Sequence, residues 1–230
     1  MVALTTSLGV WQTRRGQFKA EQQAALDAAE RAGPLSLEAR DIAPASGQTA
    51  PLPIGRTLRL RGEFLSQATI YIDNRTLRGV AGFHVITPIR IEGSSKAVPV
   101  LRGWVARDLK DRSRLPSLPE PAGPVTVEGR AESGLARALE LKASAMPGPG
   151  ERLWQNFDAA HYRMWSGLDL LPMVVRQLEP VSAQDTLVRE WRQVGADVDK
   201  HRGYAFQWFA MAGVSFLGLI YLVYRLLRRP

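Results

Sequence analysis

Three histidines, His84, His161 and His201, are the only imidazoles in this chain of 230 residues, and there is no cysteine. No HExxH pair, GxSxG elbow or glycine-rich phosphate loop is present, so no nucleophile and base are set up for catalysis. Acidic pairs such as Asp108 and Asp111 lie in a charged stretch and read as solvated. The missing thiols exclude disulfide staples, thiolate metal sites, a CxxCH haem attachment and cysteine-based copper handling. An enzyme is therefore not expected. The compartment stays open, since an extracytoplasmic domain can do without disulfides.

His201 has the most suggestive setting. It stands at the mouth of an apolar segment, with Tyr204 and Trp208 three and seven residues on, and on a helix these three share one side. A neutral imidazole there can ligate a metal. The plainer alternative is an interfacial histidine beside Lys200 and Arg202, with the aromatics as an ordinary belt. His84 alternates away from Phe83 and belongs to no ligand spacing; it reads as structural or exposed, as does His161. Arg75 and Arg102 could pair with carboxylates, because guanidinium matches them bidentately, although a strand-end arginine is more often a surface or ion-pair residue. Trp104, after Gly103, reads as core packing or as cover for a sheet edge, and is carried as a candidate partner contact.

The elements that must hold these residues begin with the last. Residues 204–224 (YAFQWFAMAGVSFLGLIYLVY) carry no charge, and 21 residues of helix span roughly 31 Å, about the thickness of a hydrocarbon core. Aromatic residues flank both ends, and Arg225, Arg228 and Arg229 follow at once; positive flanks are retained in the cytoplasm, so the C-terminus is expected inside and the preceding domain outside. The alternative is a buried core helix, which rarely runs so long without a polar face. Gln207 is the amide within this run and marks a face toward a partner or the first helix. Small residues Gly213, Ser215 and Gly218 form no GxxxG pair.

Residues 1–12 open with an apolar stretch, MVALTTSLGV, too short to span a bilayer and lacking a cleavage site. It reads as the outer end or remnant of a first membrane helix, a short interfacial anchor, or a helix packed on the domain. Residues 13–55 comprise a helix over 17–32, stopped by Gly33-Pro34, and a turn-rich linker over 43–55. Residues 56–181 form a β-rich domain. Strands are expected over 57–62, 68–73, 83–91, 97–105 and 124–130, with Phe83, Val85, Thr87, Ile89 and Ile91 on one face. Residues 135–141 are ambiguous, 106–123 and 144–150 read as loops, 154–166 as helix, and 172–180 as containing a strand. Residues 182–203 are expected as a polar juxtamembrane helix capped by Ser182, running into the membrane helix and then the basic tail 225–230. The fold class is α+β: an antiparallel β domain with flanking helices and a C-terminal transmembrane helix, the N-terminal one partly or wholly missing.

Hydrophobic residues at 45% and charged residues at 23% allow a core. The net charge of +8 is spread along the chain, and 25 of the 30 basic residues are arginine. No aromatic-interleaved basic signature appears, so no nucleic acid partner is expected, and a solvated basic surface facing membrane lipid remains.

The order of several blocks resembles the Surfeit locus protein 1 family. They are Leu8-Gly9-Val10-Trp11-Gln12, Arg61-Gly62-Glu63-Phe64, Asn74-Arg75, Gly82-Phe83-His84-Val85-Ile86-Thr87-Pro88, Val100-Leu101-Arg102-Gly103-Trp104-Val105, and finally His201, Tyr204, Ala205, Trp208 and Phe209. The blocks run through nearly the whole chain; at the start, most of the family's first span is missing. The resemblance implies two membrane helices bracketing an extracytoplasmic domain, periplasmic in a bacterial inner membrane. It also implies a non-enzymatic factor in the assembly of haem–copper cytochrome c oxidase, with haem a as ligand and subunit I as recipient, and haem a synthase as a further partner. On that basis His201 is the expected ligand to haem iron, Tyr204 and Trp208 pack against the porphyrin, and Arg75 and Arg102 meet its propionates. The alternative is a membrane-anchored scaffold that stabilises assembly intermediates without holding haem.

Overall fold

The computed structural model describes residues 1–42, 52–111, 114–135, 147–191 and 198–228. They fall into two compact units, Ala29–Glu190 and a second made of Met1–Ala28 with Trp191–Pro230.

In the larger unit the period-two runs become eight strands of one sheet: β1 (Leu35–Leu37), β2 (Thr57–Phe64), β3 (Ile70–Leu77), β4 (Val80–Ile91), β5 (Ala97–Ala106), β6 (Val125–Glu132), β7 (Leu153–Trp154) and β8 (Val174–Gln177). Their order is β1-β2-β6-β8-β5-β4-β3-β7, and β2 pairs β4 as well. β2, β6, β8, β5 and β4 thus close into a five-strand ring, which removes their free edges. Leu58 and Leu60, Ile89 and Ile91, Val98 and Val100, Val127 and Ala131, and Val175 form one buried cluster from these five strands. Gly62 sits at the closure, where a Cβ would stand 1.9 Å from the Arg90 carbonyl oxygen.

The sheet is mixed, so the antiparallel expectation holds in part: β2–β4, β2–β6, β3–β4, β4–β5 and β6–β8 run antiparallel. β1–β2, β3–β7 and β5–β8 run parallel. A parallel neighbour needs a crossover connection, and the chain between β5 and β8, which includes β6, supplies one.

Two bulges redirect side chains. Between the pairs Val85↔Gly103 and Ile86↔Leu101, Arg102 of β5 is the extra residue. Leu101 and Arg102 are consequently both buried, against simple alternation. The same irregularity divides the single face expected along β4: Phe83 and Val85 pack in one cluster with Tyr71 and Leu187, whereas Ile89 and Ile91 join the ring interior. On β3, Asp73 and Asn74 together oppose Phe83, with Asn74 in the left-handed region at φ 57°.

The helix expected over 154–166 is shorter. Leu153–Trp154 pairs as β7, and α3 spans Ala159–Ser166. Its start is set by Asp158, whose carboxylate accepts from the His161 N–H at 2.8 Å. Gly167 ends it at φ 66°. The short helix α2 (Ala39–Ile42) precedes residues 43–51, so most of the expected 43–55 loop lies outside the described residues, as do 136–141 of the ambiguous segment and 144–146 of the next loop.

The juxtamembrane helix expected from Ser182 does not form over 182–191, and 192–197 lie outside the described residues. Tertiary bonds override the local propensity here. Trp104 and Val188 exchange backbone bonds of 2.7 and 2.8 Å, and Asp185 collects the Leu187 N–H at 3.3 Å.

The smaller unit consists of α1 (Val2–Arg31) and α4 (Val198–Leu227). α1 is one continuous helix, so the apolar start and the expected helix over 17–32 are parts of a single element ending before Gly33 at φ 71°. Within α4, Lys200–Leu227 is long and apolar enough to cross a membrane and is hardly buried by protein. Val214, Phe216, Leu217 and Leu219 are all exposed. In water that surface would be costly; in lipid it is solvated.

Candidate functional site

His201 lies where the two long helices meet. Its Nδ1 is 2.7 Å from Gln12 Oε1. An amide oxygen only accepts, so Nδ1 is the donor, and of the two neutral tautomers this bond selects the one with its lone pair on Nε2. Gly16, one helical turn from Gln12, faces His201, where a Cβ would make an ordinary contact at 3.5 Å with His201 Cβ. At Gly9 a Cβ would come within 2.7 Å of the Phe209 ring, so this glycine allows close approach of the helices. The order of contacts, Gly9 with Phe209 and Gly16 with His201, makes the helices antiparallel. It also sets the apolar start of α1 beside the apolar part of α4. The Thr13 hydroxyl is satisfied by the Gly9 carbonyl at 2.9 Å.

A half-open pocket of about 280 Å³ is lined by Gln12, Thr13, Gly16, Gln17, Ala20, Arg202 and Ala205; it takes in the hydrogen-bond partner of His201 but not His201 itself. Tyr204 is half exposed and Trp208 partly buried, while Ala205 and Ala212 are buried on the face that carries His201. Part of the expected aromatic stripe therefore turns toward α1. Gln207 is exposed on α4 and does not face α1. Gln12 and Gly16 were given no role in the sequence; their signal was the seven-residue spacing of Gly9 and Gly16 around a lone amide.

In the β domain, four of the blocks singled out by sequence converge. Trp104 lies against Gly82, where a Cβ would stand 2.5 Å from the indole, and its Nε1–H donates to the Arg75 carbonyl at 2.8 Å. Arg75 itself donates to Asn156 Oδ1 at 3.2 Å. Burial pulls its pKa down, against Asp73. His84 pairs with Ile72 and Trp104 across its two strand neighbours. Burial, with Arg75 and Arg176 adding to it, lowers its pKa to about 4, so it is neutral at physiological pH. Arg102, on the bulge, stacks its guanidinium 4.6 Å over Phe64. Arg75 and Arg102 thus have different surroundings. His161 is structural: its Nε2 is 3.0 Å from the Pro147 carbonyl and its ring is 5.0 Å from Trp154. Trp154, Tyr162 and Trp165 complete that aromatic cluster, and Tyr162 donates to the Ala68 carbonyl at 2.5 Å.

A pocket of about 560 Å³ near β1 does not compete as a site for an anion: Arg40, Arg59 and Arg61 around it are each paired with a glutamate, Glu38, Glu128 and Glu92. Among the described residues, no three His, Asp or Glu side chains gather as a metal site.

The protein thus joins a ring of strands to a helix long and apolar enough to cross a membrane. The SURF1 family model matches residues 1–213, and the chain belongs to that family, one of cytochrome oxidase assembly factors and not of catalysts. A search among curated proteins returns no match.

Proposed function

We propose that this protein assists assembly of haem–copper cytochrome c oxidase by holding haem a for subunit I, with His201 as the residue that would ligate its iron. The observation that carries the proposal is the Gln12–His201 hydrogen bond, which fixes the imidazole in the tautomer that ligates through Nε2. An imidazole at the mouth of an apolar helix, with its Nδ1 already engaged, suits the donor chemistry of haem. The bound group would supply the cargo; the chain would bind and orient it. Tyr204 and Trp208 would pack near the macrocycle, and Arg202, which lines a pocket with Gln12, would meet a carboxylate. Arg75 and Arg102 are retained as candidate propionate partners from the family resemblance, without support from a shared site. Gln207 and Trp104 are candidate contacts to a partner, subunit I or haem a synthase. Our reading has the protein in a bacterial inner membrane with the β domain periplasmic; Arg225, Arg228 and Arg229 support a cytoplasmic C-terminus.

A second reading, a scaffold that holds no haem, draws on the packing of α1 over the His201 side of α4, which narrows access. An optical spectrum of detergent-purified protein from cells making haem a, wild type beside His201→Ala, separates the two. Bound haem a lost in the variant supports ligation. Haem retained in the variant removes His201 from that role, and no haem in either supports the scaffold.

A further inference from the structure

The β domain contains a buried arginine whose charge is poorly met. Arg102 is 3% exposed, yet among the described residues its Nε–H has no partner. Its nearest carboxylate, Asp185, is 3.9 Å away and 2% exposed in its side chain. Asp185 is already shared: it pairs closely with Arg189 and also takes the Leu187 N–H. Burial pulls the Arg102 pKa down, with Asp185 opposing and Arg189 adding to the fall.

Arg102 lines a half-open pocket of about 260 Å³, together with Tyr71, Arg152, Ser66, Pro116 and Glu120. The pocket is framed by fixed parts. Arg152 donates to the Thr69 and Ser66 carbonyls at 2.7 and 3.2 Å, and Tyr71 donates to the Pro116 carbonyl at 2.7 Å. Glu120, on the rim, is exposed. Three guanidiniums, Arg102, Arg152 and Arg189, stand against two carboxylates, Asp185 and Glu120, which leaves one positive charge.

We infer that this pocket binds a carboxylate, the monoanion that balances that charge, on Arg102 and Arg152. A phosphate, carrying nearly two charges, would overshoot the balance. Glu120 is the internal competitor: its carboxylate already acts on Arg102 from the rim. The ligand's carboxylate comes either from a small molecule, a free acid or a propionate such as that proposed above for Arg102, or from an acidic residue of a bound protein.

The test is thermal unfolding of the full chain in detergent, with sodium acetate compared with sodium chloride at equal ionic strength. Acetate raises the midpoint beyond chloride, as a ligand of the folded state does. Glu120→Gln lowers the half-effect concentration by ~3-fold, the scale of one exposed charge. Arg152→Gln raises it by ~10-fold, the scale of one charge-assisted hydrogen bond. A blocked Ala-Glu-Ala peptide acting at ~10-fold lower concentration than acetate assigns the site to a protein-borne carboxylate, a gain of about 1.4 kcal/mol; equal concentrations assign it to a small molecule. Acetate and chloride acting alike on both wild type and Glu120→Gln overturns the site, and phosphate outperforming acetate overturns the carboxylate. Should Arg152→Gln fail to fold, Glu120→Gln, at an exposed position, decides alone.

Discussion

Replacing Gln12 by Leu tests the orientation of His201 without touching the ligand itself. Leucine is of similar size but cannot accept the Nδ1 proton, whose bond to Gln12 Oε1 is 2.7 Å long. Net loss of such a bond costs about 0.5–1.5 kcal/mol. Outer-sphere partners of metal-bound histidines change affinity by about 10–100-fold. The two ranges overlap near tenfold, so haem a affinity of the solubilised protein should fall by roughly that factor. The same cost falls on the folded state, so the unfolding midpoint should drop by only about 1–5 °C. Nitrogen NMR of the imidazole gives a readout independent of haem: wild type shows Nδ1 protonated, and Gln12→Leu shows a tautomer mixture. Gln12→Glu, which keeps an acceptor, should restore the single tautomer. If Gln12→Leu keeps both the wild-type tautomer and wild-type affinity while His201→Ala abolishes binding, the orienting role is wrong.

Gly62→Ala should destabilise the β domain by about 3 kcal/mol or more, because the new methyl meets backbone at the ring closure and strands β2 and β4 must part; a melting midpoint equal to wild type would refute the closure. His84 has a folded pKa of about 4 against 6.5 when unfolded, so its contribution is complete above pH 6.5, falls as the unfolded chain takes up the proton, and is gone near pH 4. At about 1.36 kcal/mol per unit the loss is at most about 3 kcal/mol, and His84→Gln should flatten urea midpoints measured between pH 7 and 4. A cysteine appended after Pro230 of this cysteine-free chain should react with an impermeant maleimide only once the inner membrane is opened; labelling in intact spheroplasts would invert the topology.

The strands and the apolar helix were legible because each is written in a local period: Leu58 and Leu60 alternate with arginines, and residues 204–224 carry no charge. The ring was not, because closure depends on which strands meet, and β8 is only four residues long. The absence of helix over 182–191 was hidden for a similar reason: Trp104 claims the backbone of Val188, a bond between residues far apart in sequence. The site was half legible. His201 was marked by its place before an apolar run, but Gln12, 189 residues away, acquires meaning only when the two helices lie side by side. Arg102 is the sharpest case. Strict alternation from Val98 and Val100 puts it on the inner face and Leu101 on the outer, and a single extra residue on β5 breaks that rule so that both are buried. A strand that hides a guanidinium beside an already shared Asp185 accepts a desolvation cost that packing alone does not require. That cost is offset if a second carboxylate reaches the pocket, and the acetate titration is therefore also a test of why the bulge is there.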